Sequence, residues 1–153
     1  MNQQLHFPKP NYIIREFNFD TDLDDCLKIW NNSGGGIHLS KSDTPDEIKK
    51  YLAKASGLFI VAESNDGRLI GTALGGFYGR RGMMYHLAVD PSHRNLGIAS
   101  HLVKELEKRL KQYGCIRCYL LVTPDNSSAI DFYEKRGWQR LELAIYGKDL
   151  EDD

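Results

Sequence analysis

One stretch constrains this chain more than any other: Val89-Asp90-Pro91-Ser92-His93-Arg94-Asn95-Leu96-Gly97-Ile98-Ala99. It follows an apolar, strand-like run over residues 83–89. It leads into an amphipathic helix whose apolar face carries Ile98, Leu102, Val103, Leu106 and Leu110. Arg94-x-x-Gly97-x-Ala99 keeps side chains small where that helix begins. Backbone N–H groups there lie open to an anion, and the helix dipole adds about half a positive charge. A strand, a glycine turn and a helix N-terminus in that order form a cradle suited to a pyrophosphate.

Around this junction the chain reads as one domain. Its 153 residues suffice for one sizeable core and fall short of two typical domains. A net charge of −1 lacks the basic excess of a nucleic-acid binder, so no nucleic-acid partner is expected. No apolar run approaches the ~20 residues that span a bilayer, and residues 1–10 hold no apolar leader core, so no membrane association is expected and the cytoplasm is the expected compartment. Cys26, Cys115 and Cys118 are odd in number and lack framework spacing, which suits a reducing environment. Cys115 and Cys118 fall in a strand-like run, where residues three apart face opposite ways. They are therefore expected not to converge on a metal ion, and no metal is expected.

Residues 1–11 are polar with two prolines and read as a loosely held arm. A first strand is expected over residues 12–16 and a first helix over 20–31, with Leu23, Cys26 or Leu27, and Trp30 at helical spacing. Asn32-Ser33-Gly34-Gly35-Gly36 ends that helix and opens a mobile loop to about Ser42. Asp43 or Thr44 with Pro45 starts a second helix with Ile48, Tyr51 and Leu52 inward. Strands over 58–63 and 68–77 flank a Ser64-Asn65-Asp66-Gly67 turn, and the fourth strand covers 83–89. After the third helix, Gly114 occupies a C′ position, a fifth strand runs over 117–123, and a fourth helix over 126–136 stops at Gly137. Residues 138–148 are expected to close the fold with a strand or hairpin. The order is β-α-α-β-β-β-α-β-α-β: an α/β (α+β) domain over residues 1–153, with a mixed, largely antiparallel sheet flanked by four helices.

Two other phosphate sites are excluded. A Rossmann dinucleotide site needs an acidic residue at the end of the next strand, and Val122-Thr123-Pro124 has none. A P-loop needs Gly-Lys-Ser/Thr, which is absent. Instead, residues 69–137 resemble the GNAT N-acetyltransferase superfamily, in particular bacterial single-domain members related to ribosomal-protein N-terminal acetyltransferases. Three motifs carry the resemblance. Leu87-Ala88-Val89 resembles the strand that pairs with the pantetheine arm. Arg94-Asn95-Leu96-Gly97-Ile98-Ala99 resembles the Arg/Gln-x-x-Gly-x-Gly/Ala pyrophosphate loop. Asn126-Ser127-Ser128-Ala129-Ile130-Asp131-Phe132-Tyr133-Glu134-Lys135-Arg136-Gly137-Trp138 resembles the family's segment ending in Phe-Tyr-Glu-Lys-x-Gly.

That resemblance implies acetyl transfer from acetyl-CoA, as co-substrate, to a primary amine by direct attack in a ternary complex; the alternative is a non-catalytic acyl-CoA sensor or partner module. It places the pyrophosphate on the turn from Asn95 to Ser100, the pantetheine on Leu87 to Val89, and the thioester carbonyl on the N–H near Leu87. Tyr133 becomes the general acid for the departing thiolate, although spacing alone favours a core aromatic. Asn126 caps its helix, contacts CoA, or does both. Several relatives place a glutamate base on the fourth or fifth strand; the matching positions here are Tyr85 and Leu121, neither a carboxylate. Tyr85 and His86 are the nearby candidates for the base. As strand neighbours they are expected to face opposite ways, so at most one enters the cleft. Residues 33–42, with His38, are either a connector or a border of the acceptor cleft. A monomer or homodimer is expected.

Overall fold

Strands form here where apolar and β-branched residues run between glycine-rich turns, and a computed structural model describes residues 9–150 of the result. β1 (Tyr12–Glu16), β2 (Phe59–Ser64), β3 (Leu69–Phe77), β4 (Gly82–Val89) and β5 (Cys118–Tyr119) form one sheet in the order β1-β2-β3-β4-β5. The first three pairings are antiparallel and the last is parallel. The helices are α1 (Phe19–Asn31), α2 (Pro45–Ala55), α3 (Ile98–Gln112) and α4 (Ser127–Glu134). These residues divide into two compact units, parted between Leu121 and Val122.

In the first unit, β3 alternates between two layers. Thr72 and Leu74 face a core that contains Phe17, Cys26, Ile29, Trp30, Ile48 and Phe59, drawn largely from α1, α2 and β2. Gly71 and Gly75 face α3. A Cβ on Gly71 would lie 3.0 Å from Leu102 and 3.2 Å from Ile98, and one on Gly75 would lie 3.0 Å from Leu106. The bare backbone at these two positions lets α3 sit close against the sheet through Ile98, Leu102, Val103, Leu106 and Leu110, all buried. That seat places the start of α3 just beyond the end of β4.

Asp22 is a buried charge on α1. The Arg15 guanidinium grips it with two hydrogen bonds, at 2.6 and 2.9 Å, and also reaches Glu63. A buried carboxylate survives only with such partners. The pair pins α1 to the first strand.

The second unit contains α4. Asn126 caps it by accepting from the Ala129 N–H at 3.1 Å. The chain leaves α4 through a left-handed Gly137, with Trp138 N–H donating to the Tyr133 carbonyl at 3.1 Å.

Two expected strands differ from the structure. The fifth is two residues long rather than seven, because its ladder reaches only Gly82 and Met83 of β4. No strand forms over 138–148: these residues carry no regular secondary structure. Their alternating apolar pattern supplies a face but no ladder partner, and strands exist only through pairing. The arm expected over 1–11 lies outside the described residues up to position 8.

Candidate active site

β4 carries an extra residue. Thr72 pairs with Ala88 and Leu74 with Tyr85, so two steps on β3 answer three on β4. The bulge falls at His86 and Leu87, and His86 adopts a left-handed backbone, φ 47°. Thr72, wholly buried, takes up the slack: its hydroxyl donates to the His86 carbonyl at 3.0 Å and accepts the Trp30 indole N–H at 2.9 Å. On its other side β4 is paired only through Gly82 and Met83, which leaves the edge from Met84 to Val89 without a strand partner among the described residues. An extended amide-bearing ligand can pair there as an added strand does.

The edge runs straight into the turn. Asp90 N–H donates to the Ile70 carbonyl at 2.9 Å, continuing the sheet. The Asp90 carboxylate accepts from the Ser92 hydroxyl and from His93 Nδ1. Those bonds, the Ser92 one foremost, hold its carboxyl below the usual range. Arg94 Nε donates back to the Val89 carbonyl at 3.3 Å. Asn95 and Gly97 both take left-handed backbones, φ 62° and 80°. No side chain caps α3 at Gly97. Leu96 is exposed, and a Cβ on Gly97 would meet nothing within 4 Å, so the space ahead of the turn is open. Alternating backbone hand and an uncapped first turn give a concave set of N–H donors at the positive end of a helix dipole. The segment from Arg94 to Ser100 is thus arranged as an anion cradle.

The bulge overturns one expectation. Tyr85 pairs with Leu74 and Ala88 with Thr72, so both pairs lie on the layer of α1 and α2. His86, displaced by the bulge, turns to that same layer: its ring stands edge-on to Trp30 at 4.6 Å and its Nε2 lies 2.6 Å from Asp43 Oδ1. Tyr85 and His86 therefore share a face, because strict strand alternation fails where a residue is inserted. Tyr85 is partly exposed beside Tyr78 over Gly76. Burial, then neighbouring Tyr78 and Cys118, pushes its hydroxyl above the ordinary tyrosine range.

Asp43 is the partner that sequence reading missed. It closes a capping box with Ser40: Asp43 Oδ2 accepts the Ser40 N–H at 2.8 Å, and Ser40 Oγ accepts the Ser42 N–H at 3.2 Å. The Ser-x-x-Asp spacing signals the box but not the histidine across from it. Nor does the loop from 33 to 42 lack internal order: Ile37 N–H donates to Ser33 Oγ at 3.1 Å before the box is reached.

Asn126 and Tyr133 stand on α4, in the second unit. Phe132 and Trp138 both present edges to the Tyr133 ring, at 5.1 and 5.9 Å between centroids. Burial pushes the Tyr133 hydroxyl up to about 12. Among the described residues of that unit this hydroxyl has no hydrogen-bond partner.

The cysteine geometry also differs from expectation. Only Cys118 lies in a strand, and a Cβ on Gly82 would sit 2.7 Å from Cys115 Sγ and 3.4 Å from Cys118 Sγ. Both sulfurs thus face the same glycine rather than opposite sides. Burial pushes the Cys118 thiol up to about 12, with Cys115 adding to it. No third His, Cys, Asp or Glu joins them among the described residues.

Residues 23–138 match the model of the acetyltransferase (GNAT) family. An acetyltransferase of Pectobacterium atrosepticum is 36% identical over 129 residues, 84% of this chain and 83% of that protein. The PaiA N-acetyltransferase of Thermoplasma acidophilum, solved with coenzyme A, superposes with a TM-score of 0.76 at 21% identity, over 87% of this chain and 92% of that one. Naa20 of Chaetomium thermophilum, solved with a bisubstrate analogue, superposes with a TM-score of 0.69 at 25% identity, over 81% of this chain and 69% of that one.

Proposed function

The chain belongs to the GNAT acetyltransferase family, and on that premise we propose that it moves the acetyl group of acetyl-CoA to a primary amine by direct attack within a ternary complex. One observation carries this reading: the unpaired edge of β4 leads without interruption into the uncapped start of α3. The edge suits the amides of a pantetheine arm, and the turn at its end suits a pyrophosphate. In this reading both compact units serve as one acetyltransferase domain.

The chemistry follows the chain in order. The turn from Arg94 to Ser100 holds the pyrophosphate, and Leu87, Ala88 and Val89 hold the pantetheine. The N–H near Leu87 polarises the thioester carbonyl, where charge develops as the amine attacks. The amine nitrogen forms its bond to the carbonyl carbon, the carbon–sulfur bond breaks, and Tyr133 hands its proton to the departing thiolate. The proton still carried by the new amide nitrogen passes to solvent and restores the tyrosine. Asn126 sets the start of α4 and thereby the position of Tyr133. The ammonium form of the acceptor must first lose a proton, and the side chains on hand for it are Tyr85 and His86, which share the face beside the bulge.

A panel of amines, offered with acetyl-CoA and followed by release of free thiol, tests the reading. Turnover with at least one primary amine is expected. Tight CoA binding without thiol release from any amine would instead favour an acyl-CoA sensor.

A further inference from the structure

Two constraints meet on the His86 ring, and neither comes from its own strand. The indole of Trp30 stands edge-on at 4.6 Å, and Asp43 Oδ1 lies 2.6 Å from Nε2. The carboxylate is itself held independently of the histidine. Its other oxygen accepts the Ser40 backbone N–H at 2.8 Å and faces the Ser40 hydroxyl at 3.3 Å. Both members of the pair are largely enclosed, with side chains 18% and 13% exposed. A carboxylate only accepts hydrogen bonds, so Nε2 is the nitrogen that carries the proton. In the neutral ring the lone pair is then left on Nδ1. That atom has no hydrogen-bond partner among the described residues.

We propose that Asp43 is a positioning residue that holds His86 in the Nε2–H tautomer and leaves Nδ1 as the proton acceptor for the amine. This rests on the amine-acetylation reading above and selects between its two candidate bases. The step balances. Nδ1 takes one proton from the acceptor ammonium, the freed lone pair attacks the thioester carbon, and the carbon–sulfur bond breaks as the thiolate takes a proton from Tyr133. The second proton shed by the nitrogen restores the Tyr133 hydroxyl through solvent. The imidazolium formed returns its proton to solvent. Tyr85, whose hydroxyl burial holds above its ordinary range, keeps its own proton at neutral pH and is the poorer base.

The geometry further assigns the loop between α1 and α2 a part in this. The capping box that fixes Asp43 closes that loop, so the loop's folded end and the base are set by one carboxylate.

The test uses the full chain with Asp43→Asn, Asp43→Glu and His86→Ala variants. In ring-nitrogen NMR the wild-type His86 shows the Nε2–H signature at alkaline pH, and Asp43→Asn loses it, because an amide can donate to Nε2 as readily as accept. With an amine that proves to be a substrate, Asp43→Asn lowers kcat by roughly tenfold or more while acetyl-CoA affinity stays unchanged. In a His86→Ala background Asp43→Asn costs nothing further, since the two act as a unit. Asp43→Glu keeps the charge and a favoured capping-box residue. It retains the tautomer and part of the activity, and it stands in should the asparagine variant not fold. An unchanged tautomer in Asp43→Asn, or losses that simply add in the double variant, would overturn the proposal. If no amine is acetylated by the wild type, the acceptor reading falls. The NMR result still decides whether Asp43 positions His86.

Discussion

The Thr72 hydroxyl reaches across the sheet and donates to the His86 carbonyl at 3.0 Å, at the point where β4 takes its extra residue. An inserted residue leaves ladder groups unanswered, and a buried carbonyl without a partner is expensive. Thr72 answers it with a side chain. Because its oxygen also accepts the Trp30 N–H, the same atom ties α1 to the bulge. The orientation of His86 is thus set from behind by Thr72 and from the side by Trp30, before Asp43 is considered.

Thr72→Val keeps the shape and removes the oxygen, leaving the Trp30 N–H and the His86 carbonyl without that partner. A buried group left unpaired costs about 1–3 kcal/mol. The variant is expected to lose about 2 kcal/mol or more in urea denaturation, whereas Thr72→Ser loses less. A valine variant as stable as wild type would show that the bulge holds without this bond.

Gly97 adopts φ 80°, yet a Cβ there would meet nothing within 4 Å. Its requirement is therefore one of backbone hand, not of space inside the protein. Gly97→Ala is expected to cost about 1–2 kcal/mol for the left-handed conformation and to weaken CoA modestly. Gly97→Glu adds a negative charge against the pyrophosphate and is expected to abolish binding in calorimetry. Unchanged CoA affinity in a folded glutamate variant would remove the turn from the binding site.

Gly71 touches no proposed ligand, but a Cβ there would press on Leu102, Ile98 and the Ala88 carbonyl at 3.0, 3.2 and 3.3 Å. Overpacking of this kind costs about 1–3 kcal/mol. Since Ile98 begins α3, Gly71→Ala is expected to shift the helix start and weaken CoA binding as well as stability. Lost stability with unchanged CoA affinity would mean that the seat of α3 is not what aims the turn.

Wherever structure is local, it was legible in the residues. The α3 face, the Asn126 cap, the Pro45 start of α2 and the glycine turn at 97 depend on neighbours three or four positions away, and each appears within a residue or two of its expected place. What depends on distant partners was not legible. Alternation along 83–89 implies opposite faces for Tyr85 and His86, and only the register against β3 reveals the insertion that brings them together. Asp43 announces a capping box through Ser40, while its histidine lies 43 positions on. Residues 138–148 alternate as a strand does, yet pairing decides whether a strand forms, and alternation alone names no partner.

Cys115 and Cys118 both abut Gly82, so proximity does not separate them. Chemistry does. Burial holds the Cys118 thiol near 12, and thiolate is the form that binds metal or attacks a disulfide. Replacing both with serine is expected to leave CoA affinity intact, apart from a packing cost read in thermal denaturation. Stoichiometric zinc in the wild type, lost in the double variant, would contradict this.

Tyr133→Phe separates the acid from the aromatic. Phe132 and Trp138 pack on the ring, and phenylalanine preserves those contacts, so stability and acetyl-CoA affinity are expected to stay close to wild type. The hydroxyl is assigned to a proton that moves only as the thiolate departs, and its loss therefore belongs to kcat. A positioned acid contributes about 10²–10⁴-fold, and the lower end is expected because a thiolate of ordinary pKa near 8.5 leaves tolerably unaided. A hydroxyl held at about 12 keeps its proton at neutral pH. It also resists giving that proton up, a further reason to expect the lower end of that range. Because the folded value lies above the ordinary tyrosine value of about 10, kcat should show no downturn from Tyr133 as pH rises through that ordinary value. A downturn there that disappears in Tyr133→Phe would show the hydroxyl ionising at an unshifted value. Wild-type turnover in the variant, with chemistry shown to be rate-limiting, would return Tyr133 to a packing role and leave the thiolate to take its proton from water.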